Sequence, residues 1–317
     1  MVALAAQFVP AADEVHRLQK GSDPECLLFQ SFCEEGHYGG RTRPTDTRQG
    51  TYCATPSGMF LASVNSNDPE RIAQMLETAL AKWSTLSREG RLMAVDPATQ
   101  TPRVNRGELR YPADGLVLRV TSRDFPRAVA LDGWRGNAWN FDYAWFTREE
   151  ARALLPVTPR AGARQQVPRP LVERLVRFHL VDNVRGQTIS YPSEAVKQAE
   201  LASEVTGREG NIISLRLSGA THAEAETRVS GRRGQPAQMT PFGYQAQLFG
   251  RAQYDLAAER FISFELLASG QRWGATQYNF RRGDDAAPGP LGIALTLAGD
   301  SPAERVAPAH FGAYGWN

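Results

Sequence analysis

Residues 50–86 read GTYCATPSGMFLASVNSNDPERIAQMLETALAKWSTL, and the N-terminal part of the chain is organised around them. Asp68 precedes Pro69, an N-cap followed by proline at the first helical position. Apolar residues then recur at Ile72, Met75, Leu76, Ala79, Leu80, Trp83 and Leu86, which places one stripe on one helix face. Glu70, Arg71, Gln74, Glu77 and Lys82 fall on the other faces. Upstream, Pro56-Ser57-Gly58 between Tyr52 and Phe60 predicts a hairpin turn. The stretch reads as strand, turn, strand, short loop and long amphipathic helix.

Residues 11–34 predict one or two helices, the second starting at Pro24. Leu27, Leu28, Phe32, Cys26 and Cys33 supply its apolar side, and a strand ending at Phe8-Val9-Pro10 precedes it. Residues 4–34 and 50–86 together resemble the thioredoxin-like N-terminal domain of uncharacterised bacterial two-domain proteins. The resemblance implies a partial thioredoxin-like α/β unit over residues 1–95. The chain departs from that pattern at its chemistry. It contains no Cys-x-x-Cys, and Gln49-Gly50-Thr51 stands where thioredoxins carry a cis-proline. The first strand and helix of a full thioredoxin domain also find no room before Met1. A redox-inactive unit is therefore expected.

The chain has 317 residues, enough for two domains, with the second expected over residues 96–317. Hydrophobic residues make up 42% and charged residues 22%, the balance of a soluble globular protein. A net charge of +2 argues against a dedicated nucleic-acid binder. Lysine occurs only at Lys20, Lys82 and Lys197, so the basic residues are nearly all arginine. A coding bias accounts for that, and arginine clusters for anions are the functional alternative. No apolar run approaches the ~20 residues that span a bilayer. Residues 1–9 are too short and lack the basic start of a signal peptide, so a soluble chain is expected, cytoplasmic, or periplasmic if a leader has been removed. Three cysteines do not make a disulfide scaffold.

Residues 89–114 are proline-rich and polar and read as a linker, followed by a strand at 115–121. Trp134, Trp139, Phe141, Tyr143, Trp145 and Phe146 form the densest aromatic cluster. They either pack a seam between the domains or offer a ligand-stacking surface. A short helix starts at Thr147-Arg148-Glu149-Glu150, and a second follows Pro168 and Pro170 with Leu171, Val172, Leu175, Val176 and Phe178 on its buried side. From Ala199 the text turns to strands: Glu200–Thr206, Ile212–Ser218, Tyr244–Tyr254, Phe261–Ala268, Thr276–Phe280 and Leu291–Leu297. Ser230–Phe242 reads as a loop. Tight turns without intervening helices predict one antiparallel sheet, curved or closed into a barrel, with the helix at 169–181 as its cover. In the run 261–267, alternation places Ile262, Phe264 and Leu266 on the covered face. The expected class is α+β: a partial thioredoxin-like α/β unit followed by an antiparallel β-rich domain with covering helices.

Three constellations could carry chemistry. Cys33-x-x-x-His37, where a helix ends and the glycine-rich loop begins, with Cys26 and Cys53 as additional ligands, offers thiolate and imidazole for zinc or copper. The plain alternative is that Cys26 and Cys53 are small buried hydrophobes and His37 braces its loop. His179, Asp182 and Arg185 lie together after a helix, where His179 and Asp182 could exchange a proton, or Asp182, Asn183 and Arg185 could lock the helix to the sheet. Asn279 and Arg281 share a strand face that suits a carboxylate or phosphate, with Asp284 and Asp285 following. No Gly-x-Ser-x-Gly, His-Glu-x-x-His, phosphate loop or dinucleotide fingerprint is present. Two functional classes follow. The first is a redox-inactive thioredoxin-like protein acting as a binding or interaction module for a small molecule or protein. The second is a metal- or thiol-dependent enzyme with its site at the Cys33/His37 loop and the domain seam.

Overall fold

The computed structural model describes residues 2–11, 15–39, 48–66, 68–92, 107–126, 133–230, 236–281, 283–301 and 304–316. The glycine-rich run 40–47, most of the expected linker, Arg232, Arg233 and Arg282 lie outside them. Packing divides the chain into Met1–Val104 and Asn105–Asn317, with the division inside the expected linker.

In the first unit, β1 (Thr51–Ala54) and β2 (Phe60–Val64) form an antiparallel hairpin, and α4 (Pro69–Thr85) lies on it. Asp68 caps α4 by accepting from the Glu70 amide at 2.9 Å. Met75, Leu76 and Ala79 bury themselves against Cys53, Leu61 and Ala62, with Ile72, Trp83 and Leu86 at the margin. The sequence stripe is thus the buried face. Before the hairpin come α1 (Val2–Ala5), α2 (Val15–Lys20) and α3 (Pro24–Glu35), and α5 (Arg88–Arg91) follows α4. Two expectations are corrected. The text before Pro10 starts as a helical turn, and no strand forms there among the described residues. On α3 only Cys26 and Cys33 are buried, while Leu27 and Leu28 face solvent.

The second unit holds an eight-stranded antiparallel sheet in the order β4-β3-β10-β9-β8-β7-β6-β5. Its strands are β3 (Leu116–Asp124), β4 (Trp139–Phe146), β5 (Arg164–Gln166), β6 (Val196–Glu209), β7 (Ile212–Val229), β8 (Gln238–Asp255), β9 (Arg260–Gly274) and β10 (Gly289–Leu297). β6 to β10 form consecutive antiparallel pairs, and β3 and β4 continue the sheet beyond β10. The sheet ends at β4 and β5 and is not a closed barrel. Among the described residues three α-helices accompany it, α6 (Trp134–Asn137), α7 (Arg148–Arg152) and α8 (Arg169–Phe178). Thr147 and Glu150 close a capping box at the start of α7.

One face of the sheet packs under α8, where Val172, Leu175 and Val176 join Leu201, Leu215, Leu217, Leu248, Phe264 and Leu266 in one core. Alternation along β8 is clean: Tyr244, Ala246 and Leu248 are buried while Gln245, Gln247 and Phe249 are exposed. On β9 a bulge alters the expected face. Gln253 pairs with Ser263 and Tyr254 with Phe261, so Ile262 is the extra residue. The bulge turns Phe261 into the core beside Tyr254 and Phe264, and Ile262 outward. Residues 275–281 form no strand, contrary to the alternation. Asn279 Oδ1 accepts from the Thr276 and Arg281 amides at 3.0 and 3.2 Å and folds the segment into a turn. The loop expected over 230–242 is shorter, because β8 begins at Gln238.

Candidate functional site

In the first unit His37 and Cys33 both border Tyr52, while Cys53 turns into the helix-packed core. His37 Nε2 bonds the Gln49 carbonyl at 2.9 Å, which puts the ring proton there, and Nδ1 accepts from Ser63 Oγ at 2.8 Å. The Tyr52 ring stacks on the imidazole. Cys33 is buried and faces the Arg48 carbonyl, whereas Cys53 Sγ meets Met75 Sδ at 3.5 Å in the helix-packed core. Cys26 is buried too and bonds its N-cap, Asp23. Burial raises the Cys33 and Cys53 thiols above their ordinary range, the opposite of the depression that activates a nucleophile. Among the described residues no three His, Cys, Asp or Glu side chains converge as a metal site.

The two later constellations partly merge. On the segment after α8, Asp182 meets Arg281 and Arg185 shares Asp124 with it, and Asn279 holds the turn that presents Arg281. Arg281 donates to both oxygens of Asp124 at 2.7 and 2.8 Å and to both of Asp182 at 2.8 Å. Arg185 donates to Asp124 at 2.9 Å and pairs with Asp285. Arg272, fully buried on β9, donates to the carbonyls of Asp285 and Ala287 at 2.6 and 3.0 Å. Burial lowers the Arg281 guanidinium, but its bonds and charge contacts with Asp124 and Asp182 outweigh that and hold it above the ordinary arginine range. The hub is a buried ionic lock joining β3, β9 and the segment after α8. Asp124 and Arg272 carried no sequence signal, because each is one charge on a strand.

His179 departs from this hub and caps α8, its amide bonding Leu175 O. Its Nε2 meets the Tyr314 hydroxyl, and its Nδ1 faces Asp142 Oδ2 at 3.6 Å, too long for a hydrogen bond. Burial pushes the Tyr314 phenol upward, so it stays protonated. Arg174 forks onto Glu150, stacks 4.6 Å from the Tyr314 ring and donates to Trp145 O at 3.1 Å. The Trp145 amide donates to the Tyr314 hydroxyl at 3.4 Å. Arg174 and Tyr314 therefore satisfy backbone groups of an edge strand that would otherwise invite pairing. Asp142, Arg174 and Tyr314 gave no signal in sequence, since their meeting depends on the fold.

The aromatic cluster divides. Phe146 enters the main core, and Tyr143 and Trp145 are covered by Tyr111, Phe311, Tyr314 and Trp316 of the same unit. Trp139 and Phe141 stay exposed on the sheet face away from α8, 53% and 45%, with rings stacked at 6.1 Å and 26°. Phe141 begins a lane across the sheet whose middle members, Thr121 and Ala294, are half-buried, and Trp139 stands one row to its side, opposite Arg123. Across the register Phe141 faces Thr121, Thr121 faces Ala294, Ala294 faces Leu267, and Leu267 faces Phe249, itself 54% exposed. At the spacing of paired strands the lane runs roughly 19 Å. The Phe125 ring lies over Gly292, where any side chain would collide with it, and adds to the apolar surface.

The rows beside the lane are mostly polar. On one side stand Arg251, Glu265, Thr296 and Arg119, and on the other Gln247, Ser269, Gly292 under the Phe125 ring, Arg123 and Trp139. Beyond these, Gln245 faces Gln271. Arg251 pairs with Glu265 at 2.7 Å, and Arg119 lies 4.5 Å over Phe141 with Glu304 at 3.8 Å. A separate cleft of about 340 Å³ is lined by Arg152, Leu155, Val157, Gln165, Tyr254 and Glu259, and contains none of the residues singled out from the sequence. No family model, curated protein or solved structure matches this chain. No helix among the described residues is long and apolar enough to cross a membrane.

Proposed function

We propose that this protein is a binding module and that its binding surface is the sheet face opposite α8. The observation that carries the reading is the exposed lane from Trp139 and Phe141 to Phe249. Apolar side chains in such a row gain nothing from water, and a contiguous exposed patch on a folded unit marks a contact surface. The sheet holds the lane rigidly, so binding costs little ordering there. The first unit is proposed as a redox-inactive thioredoxin-like appendage. Its hairpin and α4, together with the absent Cys-x-x-Cys and the buried thiols, support that reading.

The test is an array of glycans and peptides probed with the full chain and with Phe249→Asp. A charge at the Phe249 end of the lane should abolish whatever the unaltered protein retains there. Equal retention by both proteins would refute the assignment of the face, and retention of nothing by either would refute the binding role.

A further inference from the structure

We infer that the ligand of this face is an uncharged polysaccharide strand lying along the lane; this rests on the binding reading above. The first argument is shape. The lane is one residue wide except where Trp139 and the Phe125 ring over Gly292 widen it on one side, and the next residues on the same strand faces stand about 7 Å to either side. A protein interface of ordinary strength needs a broad apolar centre with a polar rim, about 800 Å² on each partner. A narrow lane between hydrogen-bonding rows fits a different object, one apolar on its flat faces and polar around its edges. A pyranose ring is that object. Its C–H faces lie on aromatic rings and its hydroxyls point outward to the flanking rows.

The second argument is charge. Arg251 is paired with Glu265, Arg119 is held by Phe141 and Glu304, and Arg216 stands opposite Glu204 across β6 and β7. A surface built for phosphate or sulfate would leave its arginines uncommitted in a basic stripe. This one commits Arg251 and Arg119 and sets an exposed carboxamide at Gln247 beside the lane, with Gln245 and Gln271 one row farther out. A carboxamide both donates and accepts, which matches hydroxyl groups that do the same. The stacked pair Trp139 and Phe141 supplies the main platform at one end, and Phe249 the second at the other.

The experiment is native affinity electrophoresis of the full chain in gels holding hydroxyethyl cellulose, soluble xylan or galactomannan, with heparin as a polyanion. We expect retardation by at least one neutral polymer and none by heparin. Trp139→Ala combined with Phe249→Ala should weaken it by roughly 10-fold or more, as for central aromatic contacts. Gln247→Ala should weaken it by about 2- to 10-fold, the range for one hydrogen bond. Unchanged tryptophan-monitored denaturation of the Phe249→Ala and Gln247→Ala variants separates lost binding from lost folding. Retardation by heparin alone, or equal retardation of the aromatic variant, overturns the inference. If the array retains peptides at this face and no neutral polymer retards the chain, the binding reading stands and the polysaccharide assignment fails.

Discussion

Replacing Arg281 by methionine tests whether the buried hub is a lock on the second unit. Arg281 is 2% exposed and makes four bonds of 2.7–2.8 Å to the oxygens of Asp124 and Asp182. Methionine fills much of the same volume but supplies no donor. Asp124 keeps its bond from Arg185, whereas Asp182 retains only a 4.0 Å approach from Arg272. Removing one partner of a buried charge pair costs about 3–5 kcal/mol, since the other charge stays desolvated. For a unit of this size each kcal/mol moves the melting temperature by about 2–4 °C, so a fall of roughly 6–20 °C is expected. Thermal and urea unfolding followed by tryptophan fluorescence reads this unit, because every tryptophan except Trp83 lies in it. The control is Arg251→Met. Arg251 makes an equally short bond to Glu265 but is exposed, and its loss should leave the midpoint unmoved. A loss below about 1 kcal/mol for Arg281→Met would refute the reasoning, since that is the range of ordinary surface changes.

Other outcomes follow from the same geometry. Phe264→Ala should cost about 3–5 kcal/mol in chemical denaturation, the range for emptying a buried phenylalanine site, while Gln247→Ala should cost under about 0.5 kcal/mol. Equal small effects would place the wrong face in the core. Stability should fall as pH drops below the ordinary histidine value of 6.5, because burial, aided by His179 and opposed by Asp142, lowers His310 in the folded state. The unfolded chain then takes up the proton first, so stability is full above 6.5 and declines toward the lowered value. In His310→Asn that part of the pH slope should vanish from urea midpoints measured between pH 5 and 8, a window about the usual histidine range. Insulin reduction should show no catalytic turnover: Cys26 and Cys33 lie two helical turns apart, about 10 Å, beyond the ~7 Å reach of a disulfide.

Local periodicity alone determined a good deal. The cap at Asp68, the stripe from Ile72 to Leu86 and the alternation from Tyr244 to Leu248 each depend on neighbours a few residues away, and each appears where the residues place it. The same holds for α8 as the cover of the sheet. The sequence also marked four members of one locked region, Asp182, Arg185, Asn279 and Arg281, without showing that they meet.

The tertiary structure decided the rest, because the deciding contacts join residues far apart in the chain. Asp124 reaches Arg281 from β3, and Tyr314 reaches His179 from the C-terminal segment. Only the bulge opposite Tyr254 exchanges the faces of Phe261 and Ile262 while leaving Phe264 and Leu266 on the covered face, since a one-residue insertion breaks the alternation across it and leaves no compositional trace. The aromatic run around Trp139 looked uniform as text. Which rings were buried and which formed an open lane depended on what packed over each, and the C-terminal segment covers Tyr143 and Trp145 while leaving Trp139 and Phe141 exposed.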